Sequence, residues 1–371
     1  MTSFRSIFVL LLVCIFCWQC KQSDNVKIVK VNGYDVINCD LTTVKDTIKL
    51  KLSDFIDNCE IVRIETNENS LIGGVRYISI SDNYLLIYSN NQPVKLFDRK
   101  GKFIRNIGSI GNGPGEYNSL YGIQLDEPSG RIYLTPLVRS NLILAYNLDG
   151  SFIKDIPLVH PITKSITHIA GDVVTVLSMS VTNKIPVAYQ QTTEGKLIHQ
   201  LPEIKHLIVS DYNGEISSSR NNGKYDYFNI GGKDPDTLFR YENNKMIPEF
   251  VITAGGLTIS PWIRSLKNHY WAVFFDEYYR GKTLLVNKKT LKAEFFNGIK
   301  NDFLGNIPVS SFYLSNDGYF VSSTTAISLI SDIDKALKEN SLNESNKTKL
   351  ESLGKQINEN DNNILFLGKF K

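Results

Sequence analysis

The run Gly111-Asn112-Gly113-Pro114-Gly115-Glu116-Tyr117 is the densest set of residues able to do chemistry. Three glycines let the backbone turn tightly and expose its amide groups, so that Glu116 and Tyr117 can present a carboxylate and an aromatic ring. Such a loop either binds a ligand or braces two elements, with Glu116 tying down backbone amides. Glycines mark geometry more often than chemistry, which favours the brace. It is not a phosphate loop, because it lacks the Gly-Lys-Ser/Thr ending and opens no helix. The five histidines, His160, His168, His199, His206 and His269, fall into no metal-ligand spacing and read as surface or turn residues. No GxSxG elbow is present, so a Ser/His/Asp hydrolase has no support. Asp82, Asp126, Asp172 and Asp317 sit in polar turns and read as turn formers. Trp262, Trp271, Tyr278 and Tyr279 could stack on sugar rings, but packing is the better account. Cys39 and Cys59 have no CxxC or Cys/His partner, which argues against zinc. They either pair as a disulfide or serve as small buried hydrophobes, the second being preferred. No metal and no cofactor is expected.

The elements that must carry these residues repeat. Five segments each read as an apolar strand, a polar turn and a second strand: Leu96–Gly108, Leu144–Ile156, Val187–His199, Leu238–Pro248 and Leu284–Phe296. Their turns, at Lys100-Gly101, Asp149-Gly150, Glu194-Gly195, Asn243-Asn244 and Lys288-Lys289, recur about every 45 to 49 residues. Gly and Asn tolerate the positive φ that tight hairpins demand. Two more strands precede each hairpin, for example Tyr77–Ile80 with Tyr84–Tyr88, and Ser165–Ala170 with Val173–Ser178. The apolar residues alternate, which excludes helical repeats. Four antiparallel strands per repeat of this length is the blade of a β-propeller.

Five repeats fill roughly residues 75 to 297. A sixth blade is assembled from both ends: Ser311–Leu314, Tyr319–Ser322, Asn363–Phe370 and, as outer strand, Glu60–Glu65. This predicts an all-β, six-bladed propeller closed by both chain ends, leaving only short protected edges. Residues 330–359, rich in Lys, Glu, Leu and Asn, read as one or two helices inserted in the last blade. Leu342, Leu350, Leu353 and Ile357 form their packing stripe.

Of the 371 residues, 41 are basic and 38 acidic, a net charge of +3 with no dense basic block, so nucleic acid is not an expected partner. Arg5 is followed by the apolar run Ile7–Trp18, too short to span a bilayer, which needs about 20 residues. A basic start and a short apolar stretch read as a secretory signal. The run ends at Cys20, before the polar Lys21-Gln22-Ser23-Asp24, and resembles the acylation site of a bacterial lipoprotein, although Gln19 stands where a small residue is usual. The expected organisation is a signal over 1–20, a linker over 21–45 and the propeller over 46–371. The location is the cell envelope, through a lipid on Cys20; the alternative is a signal cut elsewhere and a soluble periplasmic protein.

The run Phe97–Tyr117 resembles the signature of six-bladed β-propeller lipoproteins of Bacteroides and relatives, kin to NHL-repeat and TolB-like propellers. The opening Phe55–Ile72 and the ending Asn360–Lys371 resemble them too, so the resemblance brackets nearly the whole mature chain. It implies the fold and an exported location and transfers no catalytic residue. The expected function is a binding or scaffold module whose partner is an envelope protein, a peptide or a glycan. The alternative is an enzyme centred on the channel, a hydrolase, lyase or lactonase, which would require inward carboxylates converging on one cation.

Overall fold

In a computed structural model, the structure describes residues 25–161, 163–181, 185–211, 213–221, 224–230, 236–309, 311–314, 318–339 and 342–371. Six four-stranded antiparallel blades follow one another around an axis. Blade 1 is Tyr77–Ile80, Tyr84–Tyr88, Val94–Asp98 and Phe103–Ile107; blade 2 runs from Leu120–Asp126 to Phe152–Pro157. Blade 3 runs from Ser165–Ala170 to Leu197–Gln200, blade 4 from Glu215–Ser217 to Lys245–Thr253, and blade 5 from Pro261–Ser265 to Ala293–Asn301. In each blade the first strand is innermost.

The hydrophobic cores lie between blades, because the strands are apolar on both faces. Leu86, Leu96, Ile132 and Leu144 fill the space between blades 1 and 2, and Ile143, Ile156, Val174 and Val176 that between blades 2 and 3. Each fully buried side chain of this size contributes about 1.5–3 kcal/mol, so adjacent blades hold one another in place.

Blade 6 joins the two ends. Ile364–Lys369 pairs antiparallel with Tyr319–Thr324 on one side and with Glu60–Arg63 on the other, in the register Ile364↔Arg63 and Leu367↔Glu60. The seam is sewn further by Glu65, whose N–H donates to the Gly101 carbonyl at 2.9 Å and whose carboxylate accepts from Phe103 N at 2.7 Å. Buried Asn362 donates to the carbonyls of Glu65 and Ser70, at 2.6 and 3.0 Å.

The segment expected as a linker is folded. Strands β1 (Val26–Val31) and β2 (Tyr34–Asp40) form a hairpin around Asn32-Gly33, both at positive φ. Strand β2 then runs parallel to Lys245–Thr253, with Ile37 opposite Phe250, and extends blade 4 outward. Strand β3 (Thr47–Lys51) adds in the same way to Ala293–Asn301 of blade 5, before β4 (Glu60–Arg63) closes blade 6. This strap is held by burial as well as by hydrogen bonds: Val26, Val36, Cys39, Leu52 and Ile56 are all inaccessible to solvent. Cys39 and Cys59 are free thiols. Burial, with a smaller push from Asp40, raises the Cys39 thiol to about 12.

Helices α1 (Ala326–Lys338) and α2 (Glu344–Gly354) lie between the second and third strands of blade 6. Thr325 caps α1 by accepting from Ser328 N at 3.3 Å. Leu350, Leu353 and Ile357 are buried against Leu329 and Ile333 of α1, and Leu342 packs at the edge of the same cluster. The stripe is therefore a packing face, with α1 starting four residues earlier than its apolar spacing suggested. Among the described residues no helix is long and apolar enough to cross a membrane.

Candidate functional site

The glycine-rich loop joins the outer strand of blade 1 to the inner strand of blade 2. Ser109-Ile110 pairs in parallel with Glu116-Tyr117, so the loop closes on itself. A Glu116 carboxylate oxygen accepts from Gly113 N at 2.8 Å, and the other from Ser109 Oγ at 3.2 Å. Gly115 has φ +71 and no room for a side chain: a Cβ would stand 2.9 Å from the Phe152 ring. Its carbonyl accepts from Tyr146 Oη of blade 2 at 2.5 Å. Tyr117 is 1% exposed. Its hydroxyl accepts from Val94 N at 2.6 Å and donates to the Ile107 carbonyl at 2.7 Å. The ring that a ligand would have to meet is thus inside the protein, and Gly111, Gly113 and Glu116 are half-buried. Only Asn112 and Pro114 are exposed. The proposed lipid-bearing Cys20 lies outside the described residues.

The opposite face has a different character. There the turns after the innermost strands meet at the axis around a cavity of about 800 Å³, within the range of small-molecule sites. Its wall comes from Ser79–Asn83 of blade 1, Ile123–Pro128 of blade 2 and Thr167–Gly171 of blade 3. Arg220 of blade 4 and Tyr319 and Lys369 of blade 6 complete it.

Side-chain hydrogen bonds fix the wall. The Gln124 amide bonds the Ile169 backbone in both directions, donating to its carbonyl at 2.7 Å and accepting from its N–H at 2.9 Å. Thr135 and Thr167 share a bond of 2.6 Å, and Leu125 N donates to Ser79 Oγ at 3.2 Å. Glu127 is a clasp, accepting from the Asn83 side chain at 2.5 Å and its backbone N at 3.1 Å. Slight burial opposes its charge, but these donors and Ser81 hold its carboxyl below the ordinary carboxylate value.

His168 and Arg220 meet in the wall, with Nη1 of Arg220 2.5 Å from Nε2 of His168. A guanidinium only donates, so Nε2 accepts and the imidazole is neutral, with its proton on Nδ1. Burial, then the Arg220 charge, push His168 down from 6.5 to about 4, which agrees with a neutral ring. Tyr225 stacks edge-on against the imidazole at 5.8 Å. His168, expected at the surface or in a turn, therefore lines the cavity. Of the turn aspartates, Asp126 accepts weakly from Ser129 N at 3.4 Å and also faces the cavity, while Asp172 caps Thr193 at the rim of blade 3. Asp82 lies 3.6 Å from Lys369. Asp317 is outside the described residues.

Trp271 packs inside, 4.6 Å from the Phe296 ring, and Tyr279 stacks on Phe295 at 6.0 Å. Trp262 carries the Arg264 guanidinium over its ring at 5.1 Å, and Tyr278 is exposed. A smaller polar hollow of about 310 Å³ lies along the closing seam between Arg63 and Asn362. Among the described residues no three His, Cys, Asp or Glu side chains gather as metal ligands.

A family model described as a domain of unknown function matches residues 34–369. No curated protein matches the chain. Among solved structures, one of a protein from Bacteroides fragilis, described there only as a candidate for export, superposes with a TM-score of 0.66 at 18% identity. It covers 90% of this chain and all of that one. The WD40 β-propeller domain of Doa1 aligns more loosely, with a TM-score of 0.41 at 15% identity over 73% of this chain and 80% of that chain. The likeness is one of fold.

Proposed function

The chain belongs to the DUF4934 family, a domain of unknown function, and from that premise we propose that it is an exported binding module of the cell envelope. Its ligand enters the 800 Å³ cavity where the inner strands converge. That cavity is the observation that carries the reading: it is walled by rigidly bonded turns from three blades and lined by polar groups. The glycine-rich loop, on the far face, serves as a brace between blades 1 and 2. Support for export comes from the sequence, in which Arg5, the apolar run Ile7–Trp18 and Cys20 have the order of a lipoprotein signal. The enzyme reading asks for carboxylates converging on one cation, and Glu127 is instead held by Asn83 and Asp82 by Lys369.

Two variants test the proposal. Ala170 lines the cavity from an exposed position, so Ala170→Trp plugs the mouth without disturbing a core. Envelope extract passed over immobilised protein should yield a component captured by the wild type and lost with Ala170→Trp. Capture that persists unchanged in the plugged protein overturns the cavity as the site. Cys20→Ser should move the protein from the membrane fraction to the soluble fraction; a variant that stays membrane-bound overturns the lipid anchor.

A further inference from the structure

We propose that Arg220 seats the carboxylate of a small organic acid bearing one carboxylate in the channel mouth, a deepening that rests on the binding reading above. The case begins with the partners of Arg220. Among the described residues its only bond is the one to His168, a neutral acceptor, and no described carboxylate stands within ion-pair distance of it. A guanidinium carries five N–H donors in a planar fork, so four remain for something in the cavity. Arginine placed in a protected cavity without a countercharge is suited to bidentate recognition of a planar anion. His168 makes Arg220 a prepared site and not a loose side chain. It holds one guanidinium nitrogen without neutralising the charge, and Tyr225 holds the imidazole in turn.

The rest of the wall narrows the class. Among the described residues, Arg220 and Lys369 are the cationic side chains lining the cavity, and they face three acids, Asp82, Asp126 and Glu127. A phosphate-rich or sulfated polymer would meet more negative than positive charge and be repelled. A single carboxylate on a body bearing hydrogen-bond donors fits both sides. The acid goes to Arg220, and hydroxyl or ammonium groups go to Asp126, whose one bond in the wall is the weak turn contact to Ser129 N. A sugar acid and an amino acid share that chemistry.

Calorimetric titration with two matched pairs of probes separates these sources: glucuronate against glucose, and alanine against alaninamide. The expected result is saturable binding of at least one carboxylate and none of its uncharged or amidated counterpart. Arg220→Gln should weaken that binding at least tenfold, and Arg220→Lys, which keeps the charge but loses the fork, should fall between. Unchanged melting of both variants shows that they are folded; should Arg220→Gln melt early, Arg220→Lys decides. Binding of neither acid, equal binding of the counterparts that lack the carboxylate, or equal affinity in Arg220→Gln overturns the proposal. An envelope ligand lost by Ala170→Trp but retained by Arg220→Gln leaves the cavity as the site and removes only the role of Arg220. A ligand retained by both variants removes the cavity reading as well.

Discussion

Replacing Gly101 by alanine tests how the ring is closed. Gly101 lies in the turn between the third and fourth strands of blade 1, at φ +90, and its carbonyl receives the N–H of Glu65. A Cβ there overlaps the Arg63 carbonyl oxygen and stands 2.9 Å from Val62 Cγ1. Both residues belong to the strand that completes blade 6. Two costs therefore add. The left-handed backbone costs an L-residue about 1–2 kcal/mol. Crowding against main chain that cannot rotate away costs about 1–3 kcal/mol more. The expected destabilisation is about 2–5 kcal/mol. Gly130→Ala is the control, because Gly130 has φ +66 but open space around its Cβ position. It should cost only the backbone share, about 1–2 kcal/mol. Urea unfolding followed by tryptophan fluorescence reads both values. If Gly101→Ala costs no more than Gly130→Ala, the blade 1 turn does not press on the Glu60–Arg63 strand, and the seam is placed wrongly.

Removing Asn363–Lys371 exposes the edges of two strands and deletes buried Ile364, Leu365, Phe366 and Leu367. At about 1.5–3 kcal/mol each this approaches the whole stability of a domain, so size-exclusion chromatography should show aggregation; a monomer with unchanged melting contradicts closure through this strand. Tyr117→Phe leaves the buried Val94 N–H without its acceptor and should cost about 1–3 kcal/mol. Glu116→Gln, half-exposed, should cost less, and a reversed order in urea unfolding would argue against the brace. His168 has a folded value of about 4 against an ordinary 6.5, so below about pH 6.5 the unfolded chain binds the proton first. Stability contributed by neutral His168 is full above that pH and is lost as pH falls towards about 4, by at most about 3 kcal/mol at 1.36 kcal/mol per unit. The slope of stability between pH 7 and 4 should be shallower in His168→Asn, and identical slopes would place His168 in water.

What could be read from the residues was what is local. Ser165–Ala170 and Val173–Ser178 fall where alternation and the Gly171-Asp172 turn put them, since both signals lie within fourteen residues. The closing strand Ile364–Lys369 was legible because blade 6 had no other candidate. The β1–β2 hairpin was missed although Asn32-Gly33, between alternating apolar residues, is a strong hairpin signal. Its destination on blade 4 is written in no local pattern, because Ile37 meets Phe250 only once the ring exists. The cavity was illegible for the same reason. His168 and Arg220 sit on different blades, and nothing in their separate surroundings says that the curvature of the ring brings them within a hydrogen bond. The burial of Tyr117 was not legible in Gly115-Glu116-Tyr117-Asn118, because the atoms that bury it come from elsewhere in blades 1 and 2.

The strap along blades 4, 5 and 6 precedes in the chain the blades it joins, and each of its strands can dock only after its blade has been made. Strand β2 has only β1 to pair with until Phe250 has been made, which leaves its other edge open, and β4 has no partner until Ile364 has been made. At about 5–20 residues per second, the roughly 200 residues between β2 and its partner keep it waiting for tens of seconds at the slower rate. During that wait the backbone donors and acceptors of that edge are open to any passing strand. Pairings this distant in sequence are slow to find even in a finished chain. Under the export proposed above, the strap emerges ahead of the blades it joins, and β4 stays unpaired until the last blade has followed.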